Sequence, residues 1–278
     1  MSDLHSLNEA INKRAGRKLI PSIAVGILIL ALVVLSLSYL DRVLFIGLAL
    51  AFVYRAIWEM NRALTRANVS ICSSLYFSAT VIFIAAWFEG VAGIAISTAI
   101  TIPITLIALL TRGPKDFVRN SFASIFTLAY IPFLASFLLV MANEDDGLRR
   151  IMTLVALVAC NDTFGYIFGV LLGKHKIAPA ISPKKSWEGL IGSVVFTALG
   201  GALMFHFYFD QSWLFGTLVG LGAVITATAG DFIESAIKRD LDLKDMGALL
   251  PGHGGVLDRL DSVLLTSPFI WAVLNLVS

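Results

Sequence analysis

Long apolar runs, separated by short charged breaks, are the feature that most constrains this chain. Each run is long enough, or nearly so, to cross a hydrocarbon core of about 30 Å at about 1.5 Å per helical residue. Because backbone groups inside lipid must hydrogen-bond to one another, we expect these runs to be helices. Nine runs are present: roughly Leu19–Leu40, Val43–Trp58, Val69–Phe88, Val91–Leu110, Ser121–Met141, Ile151–Leu172, Leu190–Phe209, Ser212–Gly230 and a last one that ends near Val277. The sequence therefore predicts an all-α, polytopic integral membrane bundle of about nine transmembrane helices.

The composition excludes several other classes of protein. The 278 residues are 58% hydrophobic and 14% charged, with a mean hydropathy of +0.85. A soluble domain is about 45–50% apolar and about 25% charged, and disordered or nucleic-acid-binding chains need far more charge. No nucleic-acid partner is therefore expected. Both cysteines, Cys72 and Cys160, lie in apolar runs, which predicts neither a disulfide framework nor a paired-cysteine metal site.

The Lys and Arg residues predict the orientation of the bundle. All 21 except Arg42, Arg149 and Arg150 fall in the tail and connections that share a side with the N-terminus. Basic residues accumulate on the cytoplasmic side of membrane proteins. The N-terminus is therefore expected in the cytoplasm, and an odd number of spans then leaves the C-terminus outside. The cytoplasmic tail, residues 1–18, is either a helix on the membrane surface or a frayed end.

A first polar stretch begins inside the sixth span. Asp162 is costly there, at about 2.5–3.5 kcal/mol near a span centre, so it should face the bundle interior or a watery cavity. The alternative is a carboxylate that only hydrogen-bonds a neighbouring helix. Gly165, Gly169 and Gly173 recur every four residues, which indicates a flat face for close helix packing.

The connection after this span is rich in Ser and Lys. Pro179 and Pro183 preclude a continuous helix here. Hydroxyls and ammonium groups beside a membrane suit an anionic headgroup or a nucleotide phosphate. The groups concerned are Ser182, Lys184, Lys185 and Ser186. A connection whose charge only fixes topology is an equally good interpretation of these residues alone.

A second stretch, residues 231–261, concentrates carboxylates. Asp231, Ser235 and Lys238 share one helix face, and Asp258 and Asp261 share another. The last apolar segment is long enough to span only if its helix begins near Asp258, whereas Asp231 is expected to close the eighth helix at the same level. Three carboxylates from two helix ends could then converge on one Mg²⁺, which prefers oxygen ligands and substrate phosphates. The alternative is a solvated charged loop with internal ion pairs.

The same stretch resembles the signature of the phosphatidate cytidylyltransferase (CDP-diacylglycerol synthase) family. The matching residues are Ser235-x-Ile237-Lys238-Arg239-x4-Lys244-Asp245-x-Gly247-x2-Leu250-Pro251-x-His253-Gly254-Gly255-Val256-x-Asp258-Arg259-Leu260-Asp261. Asp162-Thr163 and Ser182-Pro183-x-Lys185-Ser186-x-Glu188-Gly189 are also similar to that family. The resemblance covers about the C-terminal half. It implies a multi-pass enzyme of the cell (inner) membrane, often a homodimer, with a cytoplasmic active site.

The family's reaction joins CTP and phosphatidic acid, within a lipid membrane, to give CDP-diacylglycerol and pyrophosphate. By the count of apolar runs, residues 19–141 hold helices 1–5, and residues 142–278 hold helices 6–9 with cytoplasmic loops 173–189 and 231–261. The resemblance makes this second region the catalytic one. The hypothesis takes Asp231, Asp258 and Asp261 as ligands of Mg²⁺, with a second cation possible. Lys244 and His253 complete the expected catalytic set. The expected substrate-binding residues are Asp162, Ser182, Lys184, Lys185, Ser186, Ser235, Lys238, Arg239 and Arg259.

Two other functions stay open from the sequence. Asp162 and the acidic cluster could mark the ion path of a transporter, although the polar residues crowd one side of the membrane. A related CTP-dependent lipid enzyme, such as a CDP-archaeol synthase or a polyprenol kinase, could use similar site chemistry on a different lipid.

Overall fold

The computed structural model describes residues 19–39, 42–247 and 254–277. These residues form nine helices, a short π-helical segment and two strands. In chain order the elements are α1 Leu19–Ser38, α2 Val43–Arg66, α3 Ser74–Leu110, α4 Phe117–Leu128, the π-helix Ala129–Phe133, α5 Leu134–Asn143, α6 Gly147–Leu172, β1 Lys176–Ala178, β2 Ser182–Ser186, α7 Trp187–Phe209, α8 Trp213–Asp240 and α9 Leu257–Val277. The predicted all-α membrane bundle is confirmed, with one antiparallel two-stranded ribbon added between α6 and α7.

The number of spans differs from a simple count of apolar runs. Within the described ranges, seven helical segments are long and apolar enough to cross a membrane, with α4, the π-helix and α5 together forming one of them. The third and fourth predicted runs both fall in α3. The total of nine spans and the cytoplasmic N-terminus stay predictions, and the tail 1–18 lies outside the described residues.

Helix α3 turns back on itself at Gly90. This residue has φ 58° and ψ −138°, a backbone region that is essentially open to glycine alone. Ser74 Oγ donates to Thr105 Oγ1 over 3.1 Å, whereas a straight helix would separate these residues by about 45 Å. The two halves of α3 are therefore antiparallel neighbours, in agreement with the break predicted between the third and fourth runs.

Connections that were predicted to share a side of the membrane do meet in the structure. Arg42 donates through Nη1 to Ala142 O (2.7 Å) and through Nη2 to Asp145 O (3.2 Å) at one end. At the other end, Ser70 N donates to Asn120 Oδ1 (3.0 Å). The alternation of the connections between two ends thus follows the predicted order.

Helices α6 to α8 pack closely through glycines. A Cβ at Gly165 would lie 2.5 Å from Ser193 Oγ, and one at Gly173 would lie 2.7 Å from Ser186 Oγ. A Cβ at Gly201 would lie 2.3 Å from the carbonyl oxygen of Gly216. The predicted packing role of the α6 glycines is confirmed, and a second glycine contact joins α7 to α8.

The ends of α8 and α9 test the length argument made from the sequence. Helix α9 begins at Leu257, so Asp258 lies in its first turn as predicted. The prediction that Asp231 closes the preceding helix is wrong, because α8 continues to Asp240. An ion pair between Glu234 and Lys238, one turn apart, supports this extension. Lys238 and Arg239 also lie in the last turn, where cations suit the helix dipole.

Candidate active site

The two polar stretches of the sequence meet at one end of the bundle. Strand β2 carries Lys185 to α8, where its Nζ lies 2.7 Å from Asp231 Oδ2. The same ammonium lies 4.3 Å from the centroid of the Phe232 ring, within the range of a cation–π contact. The Asp231 side chain remains 34% exposed. Asp231 is therefore paired with the Lys185 ammonium group and is still accessible to a ligand.

Asp258 is held on both of its carboxylate oxygens. Lys238 Nζ donates to Oδ1 over 2.8 Å, and the backbone N–H groups of Met246 and Gly255 donate to Oδ2 over 3.0 and 2.7 Å. Only 6% of the side chain is exposed. Asp258 thus joins the two ends of the loop that precedes α9 and fixes the Lys238 ammonium beside them.

Glu234 is a site residue that the sequence interpretation missed. It is fully buried and forms an ion pair with Lys238, which also binds Asp258. One lysine therefore compensates two carboxylates on adjacent helices. The i, i+4 spacing of Glu234 and Lys238 was the available signal, but it counts only if α8 continues past Asp231.

Asp261 lies deeper, where α8 and α9 touch. A Cβ at Gly230 would lie 2.3 Å from the Asp261 carbonyl oxygen, so only glycine permits this approach. The Asp261 carboxylate accepts the Ser262 N–H through Oδ1 (2.7 Å). It lies within electrostatic range of Asp231 and Asp162, so each of these carboxyl groups disfavours the ionised form of its neighbours.

Asp162 borders this group of carboxylates from α6. Its Oδ1 accepts Asn161 Nδ2 over 3.0 Å, and the residue is exposed in the single chain. The charges of Asp231, Lys185 and Arg259 all act on it. Asp162 therefore lies at the rim of the site and not in an isolated contact between helices.

A second missed residue comes from the N-terminal helices. Glu59 in α2 is fully buried, and its Oε2 accepts the Leu257 N–H over 2.9 Å. Arg55 Nε donates to its Oε1 over 3.1 Å. The signal was an acid directly after the second apolar run, but nothing local in the sequence connects it with the start of α9, 198 positions away.

The other predicted site residues that the structure describes lie on the ribbon, on or just after α8, and at the start of α9. Ser186 caps α7, because its Oγ accepts the Gly189 N–H (3.2 Å), and Arg239 holds the ribbon by donating to Ile181 O (3.2 Å). Ser235 donates to Asp231 Oδ1 over 3.4 Å. The structure also places Ser182 and Lys184 on β2, Lys244 on the exposed turn after α8 and Arg259 in the first turn of α9. His253 lies outside the described residues.

The donor set suits a hard cation, but it is not a closed metal cage. Among residues 26–39, 42–247 and 254–277, no group of three or more His, Cys, Asp or Glu residues is arranged to hold a metal ion. Asp231 and Asp261 offer carboxylate oxygens within electrostatic range of each other, and a divalent cation would stabilise both in their ionised form. Both oxygens of Asp258 already accept protein donors. A magnesium ion held by one or two carboxylates and completed by substrate phosphates fits these residues.

The fold and the site together define a multi-pass membrane protein with a charged site at one end of its helical bundle. Residues 22–277 match the cytidylyltransferase family, and the chain belongs to that family of nucleotidyltransferases. A phosphatidate cytidylyltransferase of Mycobacterium leprae is 34% identical over 281 residues, which cover 95% of this chain and 90% of that protein.

Two further relatives match over a shorter region. Phosphatidate cytidylyltransferases of Mycobacterium bovis and Staphylococcus haemolyticus are 39% and 37% identical over 165 and 164 residues. These alignments cover 59% and 58% of this chain, and 54% and 62% of the two relatives. The matched region thus spans between half and two thirds of the length of each of these two proteins.

Proposed function

We propose that this protein is a phosphatidate cytidylyltransferase, which transfers CMP from CTP to phosphatidic acid. The observation that carries the proposal is the Lys185–Asp231 contact, which unites the two polar stretches at one end of a membrane bundle. One substrate is a membrane lipid and the other is a soluble nucleotide. Their reaction needs charged groups where helices meet water, and this end of the bundle provides them.

The reaction requires no strong general base from the protein. A phosphate oxygen of phosphatidic acid, already anionic near neutral pH, attacks the α-phosphorus of CTP. A new P–O bond forms, the bond between the α-phosphorus and its bridging oxygen breaks, and pyrophosphate leaves. Lys185 and Arg239 are suited to hold phosphate oxygens. Lys244 and Arg259 would bind the remaining negative charge, and His253 would either orient a phosphate or stabilise the loop.

We propose Mg²⁺ as the cofactor. Asp231 and Asp261 would hold it. Asp258, the third ligand predicted from the sequence, would instead keep Lys238 and the adjacent loop in position, since both of its oxygens accept protein donors. When bound, the ion would neutralise charge that develops on the departing pyrophosphate. A second cation beside Asp162 would relieve the remaining repulsion among the carboxylates.

The location follows from the same chemistry. CTP is a cytoplasmic nucleotide, and the end that bears the site also carries the basic connections. The site would therefore lie on the cytoplasmic side of the cell (inner) membrane.

Helix α6 leaves the apolar side chains of Tyr166, Ile167 and Leu171 exposed, and a second copy of the chain could cover them. We propose that the enzyme works as a homodimer in lipid.

Asp258→Asn provides the direct test. We expect detergent-purified Asp258→Asn to lose at least about 100-fold of CTP-dependent CDP-lipid formation, because Lys238 loses a charged partner. Asp242→Asn is the matched control, since exposed Asp242 has φ 53°, which asparagine tolerates. Near wild-type turnover of folded Asp258→Asn would contradict the assignment.

Competition between lipids tests the substrate. Phosphatidic acid should compete better than an archaeal ether lipid phosphate or a polyprenol, and the reverse order would favour the related lipid enzymes. Solute uptake into sealed vesicles without nucleotide turnover would favour a transporter.

A further inference from the structure

The loop before α9 narrows to a neck, residues 246–247 and 254–257, which two carboxylates hold from two sides. Asp258 closes one side, because it accepts the N–H groups of Met246 and Gly255. Glu59 lies on the other side and accepts the Leu257 N–H. Residues 246–247 and 254–257 are thus enclosed between a carboxylate from α9 and a carboxylate from α2.

Glu59 also lies close to both backbone segments of the neck, residues 246–247 and residues 254–257. A Cβ at Gly247 would lie 2.3 Å from Glu59 Oε1, and a Cβ at Gly255 would lie 2.4 Å from Glu59 Oε2. Neither glycine has a positive φ. Their lack of a side chain therefore serves close approach and not an unusual backbone conformation. The two glycines of the neck and the buried acid of α2 fit one another.

The Glu59 carboxylate is itself held in place. Arg55 Nε donates to Oε1 over 3.1 Å, and the Arg55 guanidinium carbon lies 4.1 Å from the centroid of the Trp58 ring. The carboxylate is fully buried, so water cannot replace a lost partner. Arg55 and Leu257 together fix the orientation of this group.

We propose that Glu59 is a positioning residue, through which the N-terminal helices set the geometry of the loop neck that carries Asp258. Glu59 does not contact Asp258 directly; it holds the backbone to which Asp258 is bonded. The catalytic part of this inference rests on the proposed function. The mechanical part, that Glu59 anchors the neck, stands independently of any activity.

Amide hydrogen exchange tests the mechanical part. In Glu59→Gln the side chain keeps its size, but an NH₂ group must face either Arg55 or the Leu257 N–H. We expect the exchange of the Leu257 and Gly255 amides to accelerate by about tenfold or more, while the distant helix α7 exchanges as before. Glu89→Gln, an exposed acid at the opposite end of the bundle, is the matched control. Wild-type exchange in Glu59→Gln would overturn the inference.

A pair of variants keeps the test decisive if Glu59→Gln fails to fold. Gly247→Ala should loosen the neck, because its methyl group displaces the Glu59 carboxylate. Glu59→Asp should loosen it as well, because the shorter chain withdraws from Leu257. In the double variant the shorter acid makes room for the methyl group, so the combined effect on exchange should be smaller than the product of the two. A combined effect on exchange equal to the product of the two single effects would contradict a direct contact between Glu59 and Gly247.

Kinetics tests the catalytic part. We expect Glu59→Gln to lower kcat for CMP transfer by about tenfold to a hundredfold and to change the KM for CTP much less, because the neck orients groups without forming the CTP site alone. A loosened neck with unchanged kcat would overturn the positioning role. If the wild type transfers no CMP while Glu59→Gln still loosens the neck, the proposed function fails and the anchoring stands.

Discussion

Lys185 Nζ and Asp231 Oδ2 lie 2.7 Å apart, and their contact joins strand β2 to helix α8. The ribbon is also held by Arg239, which donates to Ile181 O. Two side chains at the end of the bundle thus determine where the connection between α6 and α7 lies. This arrangement makes the ribbon one wall of the candidate site.

Replacing Lys185 should therefore disable the site without unfolding the bundle. We expect Lys185→Met to lower CDP-lipid formation by about tenfold to a hundredfold, because it removes a charge-assisted contact and a phosphate-binding cation. Exposed Lys176, on the partner strand of the ribbon, offers the matched control Lys176→Met. Equal activity of the two variants in purified enzyme would argue against a role for the Lys185–Asp231 contact.

Removal of divalent cations should stop the reaction. Activity lost on addition of EDTA should return with Mg²⁺, and Asp231→Asn should need a higher Mg²⁺ concentration for half-maximal turnover, by about tenfold. Asp210→Asn is a suitable control, because Asp210 is exposed at the other end and has φ 53°. Full activity in EDTA, or an unchanged Mg²⁺ requirement in Asp231→Asn, would refute the proposed ligand.

The reversal at Gly90 should be sensitive to any side chain. Gly90→Ala places a Cβ where no atom lies within 4 Å, so its cost is backbone strain alone. We expect a loss of about 1–3 kcal/mol in the free energy of unfolding, visible as a lower Tm in detergent. Gly47→Ala also meets nothing within 4 Å but has an ordinary helical φ, so its Tm should hold or rise. The same Tm for both variants would contradict the strained turn.

The contact between α7 and α8 offers a comparison of two adjacent glycines. In Gly201→Ala the new methyl group would meet backbone atoms of Gly216 and Gly220 at 2.3 and 2.8 Å, so the helices must separate. We expect a loss of about 1–3 kcal/mol. In Gly200→Ala the methyl group would meet Cys160 Sγ at 3.5 Å and Leu157 Cδ2 at 3.7 Å, both ordinary contacts, so this variant should be nearly neutral. Thermal unfolding of the two variants checks this, and a neutral Gly201→Ala would show that the helices do not need this approach.

The sequence predicted the features that depend on local pattern. Apolar runs gave the helices, the minimum length of a span gave the start of α9 near Asp258, and the four-residue repeat gave the packing of Gly165. Each of these depends on residues that are neighbours along one helix. The break between the third and fourth runs was also visible, and the structure explains it through Gly90.

Long-range pairing could not be predicted in the same way. The end of α8 was placed too early, because Asp231 is the first charge after an apolar run and the pairing of Lys238 with Glu234 and Asp258 was not foreseen. Glu59 gave no usable signal, since its partner Leu257 lies 198 positions away. In a sequence, a charged residue that is paired with a distant segment looks the same as a charged residue exposed to water.

The turn at Gly90 also bears on how the protein reaches its membrane. Gly90, preceded by the exposed acid Glu89, forms the whole connection between two apolar helices, so the chain has no longer polar segment at this turn. We therefore expect the two arms to enter the bilayer together, as one hairpin. A polar tag inserted beside Gly90 would be expected to trap the hairpin half-inserted, whereas one in a longer connection would be carried across.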